Sequence, residues 1–347
     1  MEQPFSPYLN PQLPVMWQPT PEQLAQQERE QRRRLVRGRT NRVTAMVFLY
    51  LGILTLGAGL GSLVVRVIRS VGFAGSLEEI LSEAVGSLTD SLNSGLGYLV
   101  ALPPIFLMIF LWKRKPFFRN VLFSTRRKMR FGRLLFLISL LFLAQAGADL
   151  LDRGFSYLWQ GLGLPEGESA LHVEDSISML IYAGIGAPVI EELLFRGAVM
   201  RSFQNFGKGF AILASTVLFS VMHGNFSQIP FAFAAGLVLG YTAMEYNIWW
   251  SIFLHFFNNA ILADALPRLC NLIPYGNWIY TGLIYAVGLA GLVLCIVQGR
   301  KIRAYRRENA IQPGCMKGFF SAPTLILMLC YGLGSAVLLA VLEILFV

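Results

Sequence analysis

Glu191-Glu192-Leu193-Leu194-Phe195-Arg196 places two adjacent carboxylates and a guanidinium inside an apolar stretch of membrane length. Charges at that depth are costly and mark a functional site by default. Two of the chain's three histidines, His223 and His255, also lie in apolar segments downstream, the second followed by Asn258 and Asn259. A carboxylate, a histidine and a pair of hydrogen-bond donors are the parts needed to activate water and hold an oxyanion. The same residues admit plainer uses. Glu192 and Arg196 could brace two helices, the histidines could bridge membrane helices as polar partners, and Glu191 with the histidines could relay protons in a transporter.

Helical geometry divides the labour. Glu192 and Arg196 are four apart and share a face, with Glu on the amino side, the favourable pair orientation. Glu191 points about 100° away, so it has no partner on its own helix and must face another element. Pro188, just upstream, has no backbone N–H and predicts a kink beside the site. Phe219 and His223 are four apart on one face, as are His255 and Asn259.

The rest of the chain must place these groups in a membrane. Hydrophobic residues make up 55 % and charged residues 14 %, against roughly 25 % charged in an ordinary soluble domain, and mean hydropathy is +0.55. An all-α, polytopic membrane bundle fits, and a soluble enzyme does not. The net charge of +9 does not indicate nucleic acid, because the basic residues cluster between apolar runs. That pattern reads as cytoplasmic loops beside anionic headgroups. Cys270, Cys295, Cys315 and Cys330 are scattered, without CxxC spacing or a disulfide framework. The first forty residues are polar, so no cleavable signal peptide is expected, and the first apolar segment reads as a signal anchor.

Nine candidate spans are expected, giving about eight or nine transmembrane helices: 43–66, 96–112, 132–149, 176–200, 209–223, 228–245, 248–266, 278–298 and 320–346. The fifth and sixth are short, and Gly224–Ser227 between them predicts a deep hairpin. A Pro-rich stretch over residues 1–19 reads as disordered. Thr20-Pro21-Glu22-Gln23 reads as a helix start with a Thr N-cap, Pro at the first position and Gln at the third. Basic residues fill the amino-terminal arm, 113–133 and 300–307, whereas 70–95 and 149–175 are acidic. Alternating these through the spans predicts a cytoplasmic amino terminus. Arg66 and Arg69, on the opposite side, are expected to snorkel. Glu245, Asp264 and Glu343 are expected at the interface, and Trp249, Trp250 and Trp278 in an aromatic belt. No internal repeat is visible.

The order acidic-acidic-xxx-Arg, Phe-xxx-His and His-xxx-Asn on consecutive membrane helices resembles the CAAX prenyl protease and bacteriocin-processing family, also called Abi, of type II CAAX-like intramembrane endopeptidases. Gly197 after Arg196 and Asn225 two after His223 also look typical. The resemblance covers roughly residues 176–265. It implies that Glu191 with His223 activates the attacking water and that His255 and Asn259 stabilise the oxyanion. Glu192 and Arg196 would order the site or contact substrate, and Phe219 would pack it. The implied substrate is a membrane-associated or lipidated peptide. No metal is expected: zinc is conceivable from two glutamates and two histidines, but no HExxH helix is present. The expected organisation is a basic arm (1–42), accessory helices (43–150), a catalytic core (176–266) and carboxyl-terminal helices (278–347), in a bacterial plasma membrane. The arm and the carboxyl-terminal spans lie outside what the resemblance explains.

Overall fold

A computed structural model describes residues 19–70, 95–122, 124, 127–161, 176–225 and 228–346. Among them every regular element is helical. All nine expected spans are helices. Five are long and apolar enough to cross a bilayer: Pro21–Gly61, Gly95–Arg114, Phe131–Leu158, Ile177–Phe206 and Gly276–Val297. Lys208–Val221 and Pro323–Val337 are shorter apolar helices. The protein is an integral membrane helical bundle.

Helix α1 (Pro21–Ser70) begins at the expected signal. The Gln23 amide donates to Thr20 Oγ1 at 3.2 Å, and the Thr20 amide donates to Gln23 Oε1 at 2.8 Å, a reciprocal capping box. The basic arm and the first membrane span are thus one continuous helix. Helix α2 (Gly95–Leu122) carries the second span and changes direction at Arg114, where φ is 62°. α1 and α2 pack through small residues. Gly57, Ala58 and Gly61 of α1 face Gly97 and Ala101 of α2, and a Cβ added at Gly97 would stand 2.6 Å from the Ala58 backbone. Helices associate in lipid by this kind of close backbone approach, because lipid tails leave little hydrophobic drive between them.

Helix α3 (Phe131–Gly161) packs on α8 (Gly276–Val297). Between these two layers lie α4 (Ile177–Phe206), α5 (Lys208–Val221), α6 (Gln228–Glu245) and α7, which runs through Ile248–Phe256, Phe257–Ala265 and Leu266–Asn271. The expected hairpin is formed by α5 and α6, which pack together; residues 226 and 227 at its tip lie outside the described residues. Its open end is clasped by Lys208 Nζ donating to Glu245 Oε1 at 2.8 Å. α9 (Gly299–Glu308), α10 (Cys315–Phe320) and α11 (Pro323–Phe346) complete the chain.

Glu245, at the end of α6, is buried within the protein and also accepts from the Tyr305 hydroxyl at 3.0 Å, with Arg127 3.7 Å away. A buried carboxylate requires such partners. Burial, and then Glu245, push the Tyr305 hydroxyl above its usual pKa, so it remains a donor at neutral pH. Asp264 instead pairs with Arg268 at 2.8 Å. The side chains of Arg66, Arg69 and Glu343 lie outside those described, as do the acidic stretches 71–94 and 162–175 and the Pro-rich residues 1–18.

The basic segments meet at one end of the bundle. Arg32 donates to the Pro313 carbonyl at 2.9 Å, Arg39 to the Ser202 carbonyl at 3.1 Å, Lys113 to Ser202 Oγ at 2.6 Å and Arg133 to Gln298 Oε1 at 3.2 Å. The α1–α2 contact makes a direct prediction. Gly97→Leu is expected to destabilise the protein by about 1–3 kcal/mol, the usual range for overpacking. Gly52→Leu, where an added Cβ meets nothing within 4 Å, should leave the thermal midpoint in detergent unchanged.

Candidate active site

The site is built on α4, whose backbone departs from α-helical register twice. Tyr182–Gly186 and Glu192–Val199 are π-helical, with the Ala187 amide bonding the Tyr182 carbonyl and the Met200 amide the Phe195 carbonyl, each five residues back. Single π turns inside α-helices recur at functional sites. In the first of these, the next amide in register would reach Ala183, but that residue is Pro188 and has no N–H. The Ala183 carbonyl is instead taken by Asn259 Nδ2 at 3.0 Å. Asn259 lies in the π-helical stretch Phe257–Ala265 of α7. The proline therefore frees a carbonyl, and the amide from the neighbouring helix fills it.

Glu192 is wholly buried. Its Oε1 lies 2.9 Å from Arg196 Nη1 and 3.0 Å from His255 Nδ1, and its Oε2 accepts from Ser251 Oγ at 2.5 Å. Arg196 is paired as its spacing predicts. It also donates to the Gly236 carbonyl of α6 at 3.4 Å and lies over the Phe219 ring at 4.1 Å, a desolvated cation–π contact. Gly236 lets α6 lie close to α5: a Cβ there would stand 3.0 Å from Thr216 Cγ2 and 3.3 Å from Phe219 Cδ1. The Phe219 ring also meets His223 edge-on at 5.1 Å and His255 at 5.8 Å, so Phe219 packs against three of the polar side chains of the site.

Glu191, on the adjacent face, points elsewhere, as helical geometry requires. Its Oε2 lies 3.8 Å from His255 Nε2, and its Oε1 lies 3.4 Å from the Tyr50 hydroxyl of α1. His255 is therefore set between both glutamates, Nδ1 toward Glu192 and Nε2 toward Glu191. Nδ1 carries the proton that Glu192 accepts, a carboxylate–imidazole arrangement that sets ring orientation. His223 stands just past the end of α5, with Nδ1 2.8 Å from the Phe219 carbonyl. That contact assigns its proton to Nδ1 and leaves Nε2 as the acceptor. Glu191 is near enough to interact with His223 electrostatically, although no hydrogen bond between them is seen among the described residues.

Glu191, Glu192, Arg196, Phe219, His223 and His255 are thus joined by contacts, and Asn259 lies one helical turn beyond His255, on the Ala183 carbonyl. Asn258, which the four-residue spacing passes over, bonds to Asn259. It is buried, its Nδ2 donates to Asn259 Oδ1 at 3.0 Å, and its Oδ1 has no hydrogen-bond partner. Sequence reasoning also missed Ser251 and Tyr50. Ser251 is four residues before His255 and shares its face, a detectable signal. Tyr50 is more than a hundred residues away, and nothing in its local pattern points to Glu191. Among the described residues, no group of three or more His, Cys, Asp or Glu side chains is arranged to hold a metal ion.

Residues 173–261 match the family described as Rce1-like, type II CAAX prenyl endopeptidase. Over this segment the chain is similar to the Rce1-like family. The segment contains every residue of the three motifs, and it excludes α1, α2, α3 and α8 to α11. The Rce1-like family is one of proteases, and the similarity supports a hydrolase of the endopeptidase kind. No match was found among curated proteins or among solved structures.

Two pairs of substitutions probe this arrangement. Arg196→Met leaves Glu192 buried without its full counter-charge and is expected to cost about 3–5 kcal/mol of stability. Adding Glu192→Gln should restore part of that loss in thermal unfolding, and equal midpoints for the single and double variants would contradict the pairing. Pro188→Ala supplies an amide to compete for the Ala183 carbonyl. In a double-mutant cycle, the stability cost of Asn259→Ala should therefore shrink in the Pro188→Ala background.

Proposed function

We propose that this protein is an intramembrane endopeptidase that hydrolyses a peptide bond of a membrane-associated or lipidated peptide. The observation that carries this reading is the single cluster of Glu191, His223, His255 and Asn259, drawn from three helices of the Rce1-like segment. Glu191 has no partner on its own helix and presents a carboxylate beside two imidazoles. With His223 as acceptor at Nε2, it takes a proton from water, and the resulting hydroxide adds to the scissile carbonyl carbon. The developing oxyanion is stabilised by His255 and by the Asn259 amide, which has a second N–H beyond the one on Ala183. Donation from His255 Nε2 requires the imidazolium form, with Glu192 accepting from Nδ1. Collapse of the tetrahedral intermediate breaks the C–N bond, and the proton held by Glu191 passes to the leaving amine.

Glu192, Arg196 and Phe219 order the site in this reading, and no metal takes part. The basic end of the bundle faces the cytoplasm and the anionic headgroups of a bacterial plasma membrane, because excess Lys and Arg mark that side. No nucleic acid is involved.

The test is cleavage of membrane-proximal and lipidated peptides by the purified protein, read by mass spectrometry. The wild type should cleave with or without chelator, and Glu191→Gln should lower the rate by about 10²–10⁴-fold, the usual worth of a positioned acid–base group. Chelator-sensitive cleavage would point to a metal. Full activity of Glu191→Gln would falsify the mechanism, and complementation by that variant in cells would favour a binding or scaffold role.

A further inference from the structure

Tyr50 sits on α1, outside the Rce1-like segment, and is only 1 % exposed. A buried tyrosine hydroxyl needs a hydrogen-bond partner. Glu191 Oε1 lies 3.4 Å away. An ionised carboxylate only accepts, and a phenol has one hydrogen to give, so Tyr50 donates to Glu191. The tyrosine rings around this contact are held by their neighbours. Tyr182 stacks on Tyr98 of α2 with ring centroids 4.9 Å apart and planes at 22°, and the Tyr50 ring meets Phe195 edge-on at 6.4 Å.

The two oxygens of Glu191 consequently have different surroundings. Oε1 faces Tyr50, and Oε2 faces His255 Nε2. Glu191 also lies within the electrostatic reach of the buried Arg196 guanidinium. A carboxylate without an anchor at Oε1 would be free to turn toward that cation and away from the water. From this geometry, and resting on the protease reading above, we propose that Tyr50 is a positioning residue: its hydroxyl holds Glu191 Oε1 so that Oε2 is aimed at the attacking water. The 3.4 Å separation is at the long end, as such contacts often are before substrate binds. The proposal makes α1 part of the reaction centre and gives the accessory helices a role beyond anchoring.

The test uses the full chain in lipid nanodiscs, as wild type, Tyr50→Phe and Glu191→Gln, with a lipidated peptide. Tyr50→Phe keeps the ring against Phe195 and removes only the hydroxyl. We expect kcat to fall about tenfold to a hundredfold, the range for a lost hydrogen bond to a charged group. KM should stay within about twofold, and the thermal midpoint should not move. An unchanged kcat beside an inactive Glu191→Gln overturns the proposal and leaves the protease reading intact. A kcat loss matched by a lowered thermal midpoint also overturns it, in favour of a packing role. If the wild type cleaves nothing, the protease reading fails, and infrared spectroscopy decides the contact without turnover. The carboxyl band that disappears in Glu191→Gln should shift in Tyr50→Phe; an unmoved band overturns the assignment.

Discussion

The constraint on which the rest of this structure depends is the burial of Glu192. A carboxylate with no solvent exposure must be surrounded by donors and counter-charge, and here they come from its own helix and from α7. Arg196 arrives one helical turn along, and Ser251 and His255 arrive together from one face of α7. Arg196 is itself buried, and it is satisfied in part by the Gly236 carbonyl and the Phe219 ring. The need to bury one pair therefore draws α4, α5, α6 and α7 to a common point. His255, oriented by Glu192 through Nδ1, necessarily turns Nε2 toward Glu191. The charge that is costliest to bury sets the direction of the group that does chemistry in the proposed reaction.

Backbone register is the second contribution. Pro188 removes one amide from α4 just where a π turn would have directed it to Ala183, and the vacant carbonyl becomes the anchor for Asn259 of α7. Asn259 in turn accepts from Asn258. In the membrane interior every backbone polar group needs an internal partner. A helix distortion is therefore tolerable only where a neighbour fills the gap, and the gap becomes a means of joining helices at a defined depth. The polar side chains and the broken register coincide because each satisfies the other.

The helices beyond the Rce1-like segment do more than span. α1 and α2 approach closely through Gly57, Ala58, Gly61, Gly97 and Ala101, and that contact brings Tyr50 and Tyr98 to the wall of the site. At the basic end, Glu245 gathers Lys208, Tyr305 and Arg127, closing the α5–α6 hairpin whose inner end carries His223. The amino-terminal arm continues into α1 without a break and lies along α10, where a Cβ at Gly318 would stand 2.5 Å from the Arg33 carbonyl.

Much of this was legible in the residues alone. Apolar runs of membrane length, the capping box at Thr20 and the Glu192–Arg196 pair are local properties, set by hydropathy and by the 3.6-residue helical repeat. The three motifs, ordered along the chain, indicated which side chains would meet. Other features depend on contacts between distant segments. That Glu245 would be enclosed by protein had no local signal, since its burial depends on the return of α9 with Tyr305. The bond from Asn258 to Asn259 lies within the π-helical stretch of α7, a distortion that local α-helical spacing does not reveal. Tyr50 had no signal at all, since its partner lies on another helix. The sequence by itself determined the membrane class, the helices and the inventory of polar groups, because these follow from periodicity and solvation. Tertiary structure alone decided which oxygen of Glu191 faces which partner, because that depends on how close two backbones can come.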